Sequence, residues 1–165
     1  MTPGRLRELL EADHARLEEL LRRSDAAPMI DGESYRAFRG GLLRHIAMEE
    51  KVLLPEARRR RGGEPLAVAK QLRADHSALA ALLVPTPTHD IIATIRKVLV
   101  EHNPLEEGPG GLYAVCEQLV GAELDALVLR VQRTPEVPLA AHFDGPRAYA
   151  SIESLLKARA AFHGA

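Results

Sequence analysis

Two copies of a short motif, His45-Ile46-Ala47-Met48-Glu49-Glu50 and His102-Asn103-Pro104-Leu105-Glu106-Glu107, place an imidazole and a carboxylate four residues apart. On a helix that spacing sets both groups near one face, a turn from each other, where they converge on a single small target. Two further histidines repeat as well, since Ala12-Asp13-His14-Ala15-Arg16-Leu17 parallels Ala74-Asp75-His76-Ser77-Ala78-Leu79. Imidazole nitrogen and carboxylate oxygen without thiolate suit iron or manganese, and zinc also fits. The chemistry on offer is cation binding by His14, His45, Glu49, His76, His102 and Glu106.

The elements that must position these groups are helices. Apolar residues recur at helical spacing in five stretches separated by Pro, Gly and Asp. The first helix is predicted to open on Thr2 as N-cap with Pro3 in its first turn and to reach about residue 23, with Leu10, Leu17 and Leu21 inward. The second starts near Asp31, turns Phe38, Leu42 and Leu53 inward and stops before Gly62-Gly63. The third, from about Glu64 to Leu83, buries Leu72, Leu79 and Leu83; the fourth, from Thr88 or His89 to Gly108, buries Ile91, Ile95 and Val98. Long helices with short connections favour antiparallel neighbours, so the expected fold is all-α, an up-down four-helix bundle with additional C-terminal helical segments. The bundle is assigned to residues 1–121 and a C-terminal extension packed on it to residues 122–165. Within the tail, residues 112–133 are helical in pattern with a break at Gly121, residues 135–146 form a loop, and residues 147–162 form a last amphipathic helix, either a cover on the bundle or a dimer contact.

Each half therefore contributes one helix of the first motif and one of the second, related by an approximate twofold. In an antiparallel hairpin, residues equally far from the turn face each other. The sequence midpoints between His14 and His45, His45 and His76, and His76 and His102 fall within the expected turns at residues 25–31, 60–63 and 85–90. The four imidazoles thus share one level. His14 follows Leu10 and precedes Leu17, His45 follows Leu42, His76 follows Leu72 and His102 follows Val98 at helical spacing, so each points into the core. Unpaired buried carboxylates cost several kcal/mol, and no Lys or Arg shares these stripes, which leaves cations as their partners. Two ions bridged by Glu49 and Glu106, with two imidazoles each, use every group.

The order of one histidine, then HxxxE, then one histidine, then HxxxE resembles the hemerythrin-like HHE cation-binding family over roughly residues 1–121. The resemblance implies two iron ions, bridged by carboxylate and by an oxo or hydroxo group, and a protein that binds or reacts with O2, nitric oxide or peroxide in sensing, detoxification or stress-related redox chemistry. An iron storage, delivery or sensing module without turnover is the alternative. Oxygen carriers of the family have a further histidine where this chain has Ala80, and place the carboxylate of the fourth helix one residue later, at the position of Glu107. The set here is closer to the di-iron proteins of iron-sulfur cluster repair, although an N-terminal domain like theirs is not expected here and a specific repair role is therefore not implied. Ferritin-like bundles need two ExxH motifs, and only Glu11 with His14 has that spacing.

Other polar residues are expected in lesser roles. Glu50 and Glu107 read as solvent-facing, with acceptance of a histidine N–H as their other role and Glu107 as the alternate ligand. Asp13 and Asp75 are either exposed or behind the ligands. Pro104 removes a hydrogen bond to the Val100 carbonyl and is expected to kink the fourth helix. Tyr35 and Tyr113 read as core packing before donors to a bound oxygen, Cys116 as a small buried residue, and His89, His142 and His163 as solvated. The arginines of residues 58–61 read as a solvated helix end.

Composition sets the outer limits. A net charge of -1 from 22 basic and 23 acidic residues provides no field for nucleic acid or anionic membrane. One cysteine excludes an internal disulfide, and the N-terminus lacks the apolar run of a secretory signal. A cytoplasmic protein is expected, a monomer or homodimer, from a GC-rich bacterial genome by its excess of Arg over Lys.

Overall fold

The computed structural model describes residues 4–164. Its elements are α1 (Arg5–Ser24), α2 (Gly32–Met48), a π-helical turn (Glu49–Leu53), α3 (Leu54–Arg60), α4 (Ala69–Leu82), α5 (His89–Glu107), α6 (Leu112–Val120), a 3-10 turn (Gly121–Glu123), α7 (Leu124–Gln132) and α8 (Pro146–Ala160). No strand occurs among the described residues, and none of their helices is long and apolar enough to cross a membrane. α2, the π turn and α3 run on without interruption and, with α1, α4 and α5, make the four-helix bundle.

Local chemistry accounts for the helix ends. Asp31 caps α2 by accepting from the N–H groups of Glu33 and Ser34, and the Thr88 hydroxyl caps α5 by accepting from Ile91 N–H at 3.1 Å. α1 begins at Arg5, after Gly4 at φ 91°; the expected cap Thr2, and Pro3, lie outside the described residues. A carboxylate from elsewhere does the capping: Glu117 of α6 accepts from the N–H groups of Gly4 and Arg7. α4 starts at Ala69 and not near Glu64. Pro65 disfavours helical backbone at the residue before it, and the Arg61 guanidinium binds the carbonyls of Glu64 and Pro65, holding that segment as a turn.

The two HxxxEE segments depart from regular helix in different ways. A proline at position 55 of a regular helix would strike the carbonyl of Lys51. The π turn, in which Leu54 N–H reaches back to the Glu49 carbonyl, widens the helix there. In α5 the corresponding irregularity is Pro104 itself, through which the helix continues to Glu107.

Every residue of the predicted inward stripes is buried, each large apolar side chain contributing about 1.5–3 kcal/mol. They form two clusters. Leu6, Leu10, Leu53, Leu54 and Leu72 meet α6 and α7 at one end; Leu17, Leu21, Phe38, Leu42, Leu79 and Ile95 pack at the other. Between them lie the buried polar residues His45, Glu49, His76, His102 and Glu106, with the partly buried His14 on α1. The break at Gly121 (φ 53°) separates α6 from α7 as expected, and α8 packs against α4. Residues 133–145 are strapped along α2 by Arg44, which donates to the carbonyls of Gln132 and Thr134, and by Arg39, which binds the carbonyl of Ala140.

Candidate metal centre

All six predicted ligands come together. One group consists of Glu49, His76, His102 and Glu106, another of His14, His45 and Glu106, with donor atoms within 4.8 Å of one another in each group. Glu49 and Glu106 have no exposure at all, and the rings of His45, His76 and His102 are nearly as buried.

Each imidazole is held from behind. Nδ1 of His45 meets Asp13 at 2.7 Å, Nδ1 of His102 meets Asp75 at 2.8 Å, Nδ1 of His76 meets Glu50 at 3.2 Å, and Nδ1 of His14 meets Glu107. The twofold repeat of the sequence thus extends to these partners. Each aspartate holds the HxxxE histidine of its own half, and each second glutamate reaches across to the ADH histidine of the other. A carboxylate at Nδ1 fixes the tautomer and leaves the Nε2 lone pair facing inward. The expectation that Glu50 and Glu107 face solvent is corrected: the turn of helix that aims Glu49 and Glu106 inward brings the next residue against the neighbouring helix.

The interior of the cluster lacks partners. Oε1 of Glu49, Oε2 of Glu106 and Nε2 of His76 are buried without a hydrogen bond, although Nε2 of His76 lies 3.3 Å from the first and 3.5 Å from the second. These are contacts of ion-pair range in poor hydrogen-bond geometry. Burial would lower the pKa of His45, yet Glu49 and Asp13 outweigh it and hold it at about 10. Burial is likewise outweighed at His76, by Glu106, Glu49 and Glu50, which raise it to about 12, and at His102, by Glu106 and Asp75, which raise it to about 9. Burial pushes the Glu106 carboxyl up, but His102 and its other partners keep it well below the usual range. Two carboxylates in the dry core demand positive charge, and without a metal the rings supply it as protons. The orphaned oxygens and nitrogen, all of ligand type, fit a pair of cations.

Three further contributors reach the cluster, Tyr113 in the role that ranked second to core packing and Arg159 and His163 outside the sequence expectations. The Tyr113 hydroxyl donates to Oε2 of Glu49 at 2.9 Å and lies close to both His14 and His45; burial and the two glutamates hold its pKa well above the usual value. Arg159 of α8 donates to Asp75 at 2.8 Å, and His163, expected in solvent, lies 2.9 Å from the same carboxylate. No local pattern marks these residues, because only the folding back of α6 and α8 brings them to the bundle. His89 and His142 are exposed as expected, and Cys116 is buried.

A cavity of about 280 Å³ runs from the surface at Glu18, Arg96 and Val100 to His14, His45, Glu49, His102 and Glu106. Leu17, Leu42 and Leu99 line it, and Pro104 forms part of its wall.

The hemerythrin HHE cation binding domain model matches residues 5–109. No curated protein and no solved structure matches the chain. The matched segment spans α1 to α5, holds all six converging side chains and covers well over half of the sequence; the chain belongs to the hemerythrin HHE cation-binding family.

Proposed function

We propose that this chain is a non-haem di-iron protein that binds or reacts with O2, nitric oxide or peroxide in the cytoplasm. One observation carries the reading: a cavity of about 280 Å³ leads from solvent directly onto the buried histidine and glutamate cluster. That volume leaves ample room for a diatomic gas or peroxide beside the cluster.

His76, His102, Glu49 and Glu106 would hold one ion, and His14, His45 and Glu106 the other. When bound, the iron pair supplies electrons and coordination positions for the small ligand. The protein's own part is positional. Asp13, Asp75, Glu50 and Glu107 orient the rings and raise their basicity. Leu17, Leu42 and Leu99 keep the approach apolar, which limits water beside the cluster. Ala80, one turn after His76, adds no further ligand, and this favours sensing or redox turnover over reversible oxygen carriage.

Mixing of the ferrous protein, prepared anaerobically, with nitric oxide, O2 or peroxide tests the reading by visible spectroscopy. A stable adduct or turnover with at least one of the three is expected. An iron-loaded protein inert to all three would instead be a storage or delivery module.

A further inference from the structure

Tyr113 belongs to α6, beyond the segment that defines the family, yet its hydroxyl stands inside the ligand cluster. The oxygen lies 2.9 Å from Oε2 of Glu49, 3.1 Å from Nε2 of His45, 3.2 Å from Nε2 of His14 and 3.3 Å from Oε1 of Glu106. A phenol has one proton to donate. With the rings neutral, as metal binding requires, all four surrounding atoms present lone pairs. One proton cannot serve four acceptors, whereas a cation among the five oxygen and nitrogen atoms takes a lone pair from each.

We propose that Tyr113, as phenolate, is a seventh metal ligand, bound to the ion held by His14, His45 and Glu106. The proposal rests on the di-metal reading above. Ligation replaces the phenol O–H bond by an O–metal bond and releases that proton to solvent.

The placement of the residue agrees with this role. Tyr113 has no solvent exposure and packs among Leu6, Leu10 and Leu112 in the apolar cluster at the α6 end. Leu17, Leu21, Leu42 and Leu79, which line the cavity, belong to the cluster at the opposite end. The phenolate therefore takes an inner position and leaves the cavity-facing side to a small ligand. No equivalent hydroxyl reaches His76 and His102 among the described hydrogen bonds, so the twofold symmetry of the repeat is broken at the metals. A phenolate on one ion alone favours the ferric state of that ion, which makes the two irons unequal in reduction.

The test uses the full chain, loaded with iron and oxidised. Visible absorption is expected to show a phenolate-to-iron(III) charge-transfer band, and resonance Raman excited within it the ring modes of a coordinated tyrosinate. Tyr113→Phe should abolish both at unchanged iron content by elemental analysis, while Tyr35→Phe, which alters the buried phenol in the other cluster, should retain both. Iron-loaded wild-type protein without tyrosinate modes overturns the ligation and leaves the di-iron reading standing, as does a Tyr113→Phe protein that keeps them. A chain that takes up no iron removes both. The Raman signature is read on the wild-type protein, so the outcome does not depend on whether the variant folds.

Discussion

Oδ2 of Asp75 lies 2.8 Å from Nδ1 of His102. Burial opposes charge on this aspartate, but His102 and Arg159 outweigh it and hold its carboxyl below the usual range. An ionised carboxylate at Nδ1 keeps the proton there and leaves Nε2 free to face Glu106, 3.0 Å away. Asp75→Asn retains the shape and loses the charge. Its metal affinity, measured by competition with a chelator, is expected to fall about 10–100-fold.

Arg159 ties α8 to the same carboxylate and also reaches Glu101 at 3.0 Å. Both Arg159 and Asp75 are buried, so removing the guanidinium leaves the carboxylate in the core with only the rings of His102 and His163 against it. Arg159→Ala is expected to lower unfolding stability by about 3–5 kcal/mol in denaturant titrations. Arg159→Lys should recover only part of this, since an ammonium cannot reproduce the planar fork that spans two carboxylates.

The bundle and its six converging side chains were legible because both obey short periods: apolar residues at helical spacing, and a motif repeated in each half. The positions of Leu10, Leu42, Leu72 and Val98 alone fix the faces of the four histidines. The partners behind the imidazoles were less legible. Glu50 follows Glu49 by one residue, and helical geometry alone does not distinguish a solvent-facing carboxylate from one lying against the next helix; the distance to His76 settles it. Arg159 was illegible, and the sequence ranked core packing above a place at the site for Tyr113, for a different reason. Each meets the site through a contact separated by about 60 residues or more, after a chain reversal that no local pattern encodes.

The pH dependence of stability should be steeper without metal than with it. In the metal-free chain burial lowers the pKa of His45 and His102, but Glu49 and Asp13, and Glu106 and Asp75, raise them to about 10 and about 9. A folded-state pKa above the unfolded value of about 6.5 stabilises fully below that pH and is lost as pH rises through the folded value. The thermal midpoint of the metal-free protein is therefore expected to fall between about pH 7 and pH 10. Metal binds the neutral rings, so fewer protons compete for Nε2 over the same range and the increment in midpoint from added manganous ion should grow. Calorimetry at both ends of the range, with and without metal, reads this directly; an increment that shrinks with pH would show that these rings do not exchange protons for metal.

Elemental analysis of the iron-loaded chain beside its Glu106→Ala and His45→Ala variants bears most directly on the assignment of the site. About two irons per chain are expected in the wild type, with most of the metal lost in each variant and a lower thermal midpoint, because a ligand bound only by the native state stabilises it. Full iron content in both variants would contradict a shared metal pair at these six side chains.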